Sequence, residues 1–191
     1  NDYQLNRITF PSQHNILAIE HDIIIDYYQL KVAGKNPVIL VLPIFSGNNK
    51  IATSFAHSFA THGYATIVVH RQKEYKKMQY FEQMDNIMRQ IIFDHKQALD
   101  WIETRPELDN QRIGVFGVSM GGIKAALLTA LDERIKTSVI ALAGGDLAYI
   151  LTYSSESHIE EDRSKRLAER QITKQQLYLK LSKSIKIDPI Y

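Results

Sequence analysis

Two periods alternate along the chain. Short runs that are apolar almost throughout occur at residues 38–42 (VILVL), 64–69 (YATIVV), 113–116 (IGVF) and 138–142 (SVIAL). Runs of this length, bounded by turn residues or charges, suit strands buried on both faces. An earlier stretch, residues 22–32 (DIIIDYYQLKV), is rich in β-branched and aromatic residues and also predicts a strand. Between these runs the apolar residues recur every three or four positions. The longest such stretch is 80–104, where Phe81, Met84, Met88, Ile91, His95, Ala98 and Ile102 line one helical face, and Arg105-Pro106 ends it. A helix is expected over about 50–62, stopped by Gly63, and another over 123–131, rich in Ala and Leu. Residues 1–20 show no clear period, and residues 71–79 read as a polar, basic loop.

Strand and helix thus alternate from about 38 to 142. This predicts an α/β fold, a mostly parallel sheet with crossover helices on both faces. No strand is evident after residue 142. Residues 147–152 suit a short helix and 154–162 are polar and acidic. Residues 163–186 hold eight Lys or Arg and one acidic residue, Glu169, while Leu177, Leu181 and Ile185 space out an apolar stripe, so one or two helices are expected there. The chain therefore divides into a core, 1–146, and a helical cap, lid or linker, 147–191.

The candidate chemistry sits in residues 112–131, RIGVFGVSMGGIKAALLTAL. Gly117-Val118-Ser119-Met120-Gly121 matches G-x-S-x-G between a predicted strand and a predicted helix, the context that gives this motif meaning. A sharp turn there lifts a serine hydroxyl clear of the sheet edge, and flanking glycines let the two backbones pass close. Ser119 is the candidate nucleophile, and the Met120 N–H, at the helix start, can face a developing oxyanion. A phosphate-binding loop fits poorly. Gly117 and Gly122 have P-loop spacing, but Ile123 stands where that motif needs Lys.

Composition narrows the alternatives. The chain has 191 residues, 45% hydrophobic and 23% charged, enough for one domain with a substantial core. A net charge of +2 gives no field that argues for nucleic acid. With no cysteine, a disulfide framework, a thiolate zinc site and a cysteine nucleophile are excluded together. No apolar run reaches the ~20 residues of a membrane span. No secretory signal is visible and position 1 is Asn, which leaves the compartment open between cytoplasmic and exported after processing. His57 and His62 are five apart and do not share a helical face, so no metal is expected, and no cofactor.

At this point the residues resemble a family. Residues 38–47 (VILVLPIFSG), 59–69 (FATHGYATIVV), 109–122 (DNQRIGVFGVSMGG) and 134–146 are similar to the α/β-hydrolases, most closely the dienelactone-hydrolase and esterase-like branch. The resemblance implies the α/β-hydrolase fold, Ser119 as nucleophile, and an oxyanion hole at the N–H groups of Met120 and of Ile44 or Phe45, with Ile44 preferred. It also implies an acid and a histidine after Ser119, following two further strands that these residues do not contain. Within the chain Asp146 and His158 have the right order for the acid and the histidine. Their plainer readings are a helix cap for Asp146 and a solvated surface residue for His158. His95 reads as a core histidine and His70 as a residue of the loop edge.

The function expected is hydrolysis of an ester or related acyl substrate through an acyl-enzyme at Ser119. The alternatives are a non-catalytic binding or interaction protein of the same fold, or a fragment that needs a second chain to complete its triad. The partners expected are a small acyl substrate and either a second polypeptide or another copy of this chain along the open sheet edge. Neither nucleic acid nor membrane is expected, and the basic stretch 163–186 reads as a solvated helical face or lid.

Overall fold

The computed structural model describes residues 2–44, 49–71 and 81–190. In chain order the elements are β1 (Tyr3–Pro11), β2 (Asp22–Leu30), β3 (Asn36–Leu42), α1 (Lys50–Thr61), β4 (Ala65–Val69), α2 (Met84–Glu103), β5 (Leu108–Val118), α3 (Met120–Leu131), β6 (Ile135–Ala141), α4 (Leu147–Tyr153), α5 (Ser157–Arg170) and α6 (Lys174–Ser184). The strands form one mixed sheet in the order β1-β2-β4-β3-β5-β6. β3, β4, β5 and β6 are parallel, and β2 is antiparallel to both β1 and β4. The apolar runs are the central strands: all of β4 is buried, as are Val38, Leu40, Val41 and Leu42 of β3.

Helices cover both faces. α1 lies on one face through Ala52, Ala56 and Ala60, small enough to bring its backbone close to Tyr28, Val41, Val68 and Phe116. α2 and α3 lie on the other, where Ile87, Ile91, Leu99, Ile123 and Leu127 join Ile25, Leu40, Ile67 and Val115 in the larger core. The same core takes in Leu147 and Leu151 of α4 and Leu177, Leu181 and Ile185 at the end of the chain. Each such burial stabilises by roughly 1.5–3 kcal/mol relative to exposure, enough to seat a helix whose other faces are polar. Asp85, in the first turn of α2, accepts the Lys186 and Ile187 N–H groups and so ties the segment after α6 to the start of α2.

One expectation is corrected, and one segment left without an element is filled in. Residues 1–20 contain a nine-residue strand, β1. Its apolar residues change phase: Tyr3 and Leu5 share one face, Ile8 and Phe10 the other, and Leu5 is exposed, so no alternation shows in sequence. The acidic segment 154–162 is partly helical, because α5 begins at Ser157 with the Glu156 carboxylate capping the Ile159 N–H. The loop expected at 71–79 falls mostly on residues outside the described set, as does Phe45.

The parallel strands all end on one edge of the sheet, where open α/β sheets place their sites. Pro43, His70, Ser119 and Leu142 follow the ends of β3, β4, β5 and β6 there. Among the described residues no strand follows β6 in sequence or pairs with its far side. Val139 and Ile140 are about half exposed on β6, and Leu142 beyond it is 89% exposed. No described helix is long and apolar enough to cross a membrane.

Candidate active site

Ser119 occupies the junction of β5 and α3 with φ 54° and ψ −123°, a region that side-chain-bearing residues rarely adopt. The turn is held from three sides. The Ser119 N–H donates to the Ala141 carbonyl of β6 at 2.8 Å, and the Ser119 carbonyl accepts from Gly122 N at 2.8 Å and Ile123 N at 3.1 Å, opening α3. Two glycines make the approach feasible. A Cβ on Gly117 would lie 2.1 Å from the Gly121 carbonyl oxygen, and one on Gly121 would lie 2.2 Å from the Leu42 carbonyl oxygen. Any other residue at either position would push β3, β5 and α3 apart. Ser119 itself is exposed, and no described side chain accepts its hydroxyl hydrogen.

The contact of Gly121 with Leu42 and Pro43 places the exit of β3 against the first turn of α3. Ile44 and Met120, both half-buried, therefore flank the same junction. Met120 is the first helical residue of α3, so its N–H has no intrahelical acceptor. Beneath them Lys124 is buried to 1% exposure, and its Nζ donates to the Pro43 carbonyl at 2.8 Å. Burial pushes the Lys124 amine down to about 7, and the Arg71 charge adds to the effect. His95 of α2 lies in the same layer. Its Nδ1 lies 2.6 Å from the Ile91 carbonyl, while Nε2 is buried without a hydrogen-bond partner. Burial, then the Lys124 charge, pushes the imidazole down to about 4 against the opposing effects of the Ile91 carbonyl and Asp94, so His95 is neutral at pH 7.

A second polar group lies on the α1 face of the same edge. His70 Nε2 meets Asp26 Oδ2 at 2.7 Å, and Arg7 donates to both Asp26 oxygens at 2.8 and 3.0 Å. Burial raises the Asp26 carboxyl, but the hydrogen bonds from Arg7 and His70 outweigh it and leave it below the usual carboxylate range. His70 Nδ1 lies 3.3 Å from the side-chain nitrogen of Asn49, at the start of α1. β3 separates β4 from β5, so this group braces the exit of β4 and does not touch Ser119.

Asp146 has a left-handed backbone (φ 57°) and caps α4, its Oδ1 accepting from Tyr149 N at 2.8 Å, while the Tyr178 hydroxyl donates to Oδ2 at 3.4 Å. His158 is exposed in the first turn of α5. No hydrogen bond joins either residue to Ser119 or to the other. Among the described residues no cluster of His, Asp or Glu could hold a metal ion. His57 is engaged with the Tyr3 hydroxyl, and His62 with the Ser58 carbonyl.

The dienelactone hydrolase family model matches residues 26–174 of the chain, from β2 to the start of α6 and across the whole elbow. The chain belongs to the dienelactone hydrolase family. An uncharacterised 31.7 kDa protein of Escherichia coli, encoded between traX and finO, is 31% identical to this family member over 121 residues, which are 59% of this chain and 40% of that protein. The chain thus spans about two fifths of the length of that curated relative. Among solved structures, the hypothetical protein PA2218 of Pseudomonas aeruginosa superposes with a TM-score of 0.62 at 19% identity, over 88% of this chain and 51% of that one. The acetyl xylan esterase of Paenibacillus sp. R4 superposes at 0.62 and 18% identity, over 95% and 68%. These likenesses show the α/β-hydrolase fold.

Three groups of this family member were not legible beforehand. Lys124 is the single charged residue of the Ala- and Leu-rich α3, and a lone lysine in a helix reads as solvent-facing. The Asp26–His70 pair joins residues far apart in sequence. Asp188, which read as linker, is buried at 4% exposure and accepts the N–H groups of both Asp146 and Leu147 at the start of α4.

Proposed function

We propose that this protein is a serine hydrolase of esters or related acyl compounds, with Ser119 as its nucleophile. Ser119 Oγ attacks the acyl carbonyl, the carbonyl oxygen takes the negative charge, and the C–O bond to the alcohol breaks as that alcohol takes up the serine proton. Water then releases the acid and restores the hydroxyl. The Met120 and Ile44 N–H groups hold the oxyanion. The observation that carries this reading is the exposed Ser119 at φ 54° between a buried strand and a buried helix. A serine hydroxyl has no structural need of such a backbone, whereas a nucleophile raised above a sheet edge does. The esterases of the same fold and the family membership support it.

The proton must pass through a base, and no described histidine touches Ser119. We assign that base to a polypeptide segment that pairs along the open side of β6, supplied by further chain or by a second molecule. The half-exposed Val139 and Ile140 support this placement. A fluorophosphonate probe tests the central claim: the intact protein takes up label, and Ser119→Ala takes up none. Equal labelling of both would end the nucleophile assignment.

A further inference from the structure

We infer that Lys124 is a positioning residue for the oxyanion site, its amine holding the Pro43–Ile44 peptide in the orientation that presents the Ile44 N–H. The inference rests on Ser119 being the nucleophile and deepens that reading. Lysine is among the side chains least often fully buried, and a buried amine carries a large desolvation cost. Here it is buried to 1% exposure in α3, and its acceptor is one specific oxygen, the Pro43 carbonyl at 2.8 Å. A packing role alone would be met by methionine at similar volume with no charge to bury.

The acceptor's position explains the lysine. The β3–β5 ladder ends at the pair Leu42–Gly117, so the Pro43 carbonyl lies beyond the last strand pairing and no described backbone N–H reaches it. That carbonyl and the Ile44 N–H belong to the same planar trans peptide, where C=O and N–H point in opposite directions. Drawing the oxygen toward the buried amine turns the Ile44 N–H away from it. A donor on the carbonyl also polarises the peptide, so the N–H at its other end becomes a stronger donor. The amine keeps an N–H for Pro43 in either protonation state, which matters because burial holds it near neutrality. The groups facing it are the Arg71 guanidinium at the β4 exit, which has no acceptor to offer, and the neutral His95 imidazole on α2, whose Nε2 makes no hydrogen bond to the amine.

The test uses the intact protein with p-nitrophenyl acetate as substrate and a short-chain trifluoromethyl ketone as a mimic of the tetrahedral intermediate. Lys124→Met removes the donor at similar volume, and Lys124→Gln keeps a polar group of shorter reach. Kinetics are normalised to folded protein by near-UV circular dichroism. Loss of a full oxyanion donor costs about 10²–10³ in kcat, so loss of its orientation should cost about 10–100-fold. The expected result for Lys124→Met is that drop in kcat, a matching loss of affinity for the ketone, and KM within about twofold, since only interactions formed in the transition state act on kcat in this way. Unchanged kcat and ketone affinity in either folded variant, or a loss confined to KM, overturns the inference. Failure of both variants to fold also overturns it, because Lys124 would then be a fold determinant. Ser119→Ala is run alongside: hydrolysis that survives it removes the nucleophile reading itself, a result independent of the Lys124 variants.

Discussion

The Ser119 N–H donates to the Ala141 carbonyl across 2.8 Å, joining the strained turn to the last residue of β6. The backbone that sets the serine's angle is thus held in part by the strand with an open outer side. The β5–β6 ladder, which runs up to the pair Val118–Ala141, adds to that hold.

The open edge gives the first prediction. Half-exposed Val139 and Ile140 flank a row of N–H and C=O groups that no described strand pairs, a template for another strand. Residues 1–191 expressed alone should self-associate and hydrolyse p-nitrophenyl acetate no faster than Ser119→Ala. The double change Val139→Lys, Ile140→Lys should restore a monomer in sedimentation velocity. A monomeric, fully active 1–191 would refute both halves.

The turn gives the second. Gly117→Ala and Gly121→Ala each place a Cβ within 2.2 Å of a backbone oxygen that cannot move without separating strands. Each should destabilise by roughly 3 kcal/mol, within the range of strained or overpacked core substitutions. Urea midpoints measure it. A shift under a third of that size would mean the elbow relaxes at little cost.

His95 gives the third. Its ordinary value of 6.5 falls to about 4 on folding, mainly through burial. The unfolded chain therefore binds the proton more readily than the folded one. Stability is fully present above pH 6.5 and is lost as pH falls toward 4, by about 3 kcal/mol at ~1.4 kcal/mol per unit. In His95→Leu this part of the acid loss should vanish, while the losses belonging to carboxylates below pH 4 persist. Parallel stability curves for the two proteins between pH 6.5 and 4 would contradict the assignment.

What sequence discloses here follows from range. The four parallel strands and the elbow are legible because each is a contiguous signal: an apolar run, or G-x-S-x-G between two such segments. β1 is not, since its apolar residues switch faces between Leu5 and Ile8. α5 starts inside an acidic stretch because the Glu156 carboxylate caps it, a contact that composition alone does not disclose. The Leu177–Leu181–Ile185 stripe was readable and is buried as its spacing implies. The place of Ser119 and Met120 at the strand–helix junction follows from the motif, whereas Lys124–Pro43 and Asp26–His70 are contacts between residues 81 and 44 positions apart, visible only after the strands are side by side.

A fourth prediction concerns Asp85. Burial raises its carboxyl, but the Arg89 side chain and the Lys186 and Ile187 N–H groups together hold it below the usual range. Its contribution is present above the unfolded value of 3.8 and is lost as pH falls through the lower folded value. Asp85→Asn should therefore weaken the seating of α6 at pH 7, read as faster amide exchange over residues 174–187 with little change in β3–β5. Uniform exchange across the whole chain would show that α6 has no separate opening.

Residues 185–188 run as a strap between two carboxylates. Asp85 grips the strap from the start of α2, and the strap's own Asp188 grips the start of α4. The helical segment is thereby pinned at both of its ends, its start through Asp188 and its finish through Asp85, so that two short stretches far apart in sequence are fastened within four residues of one another.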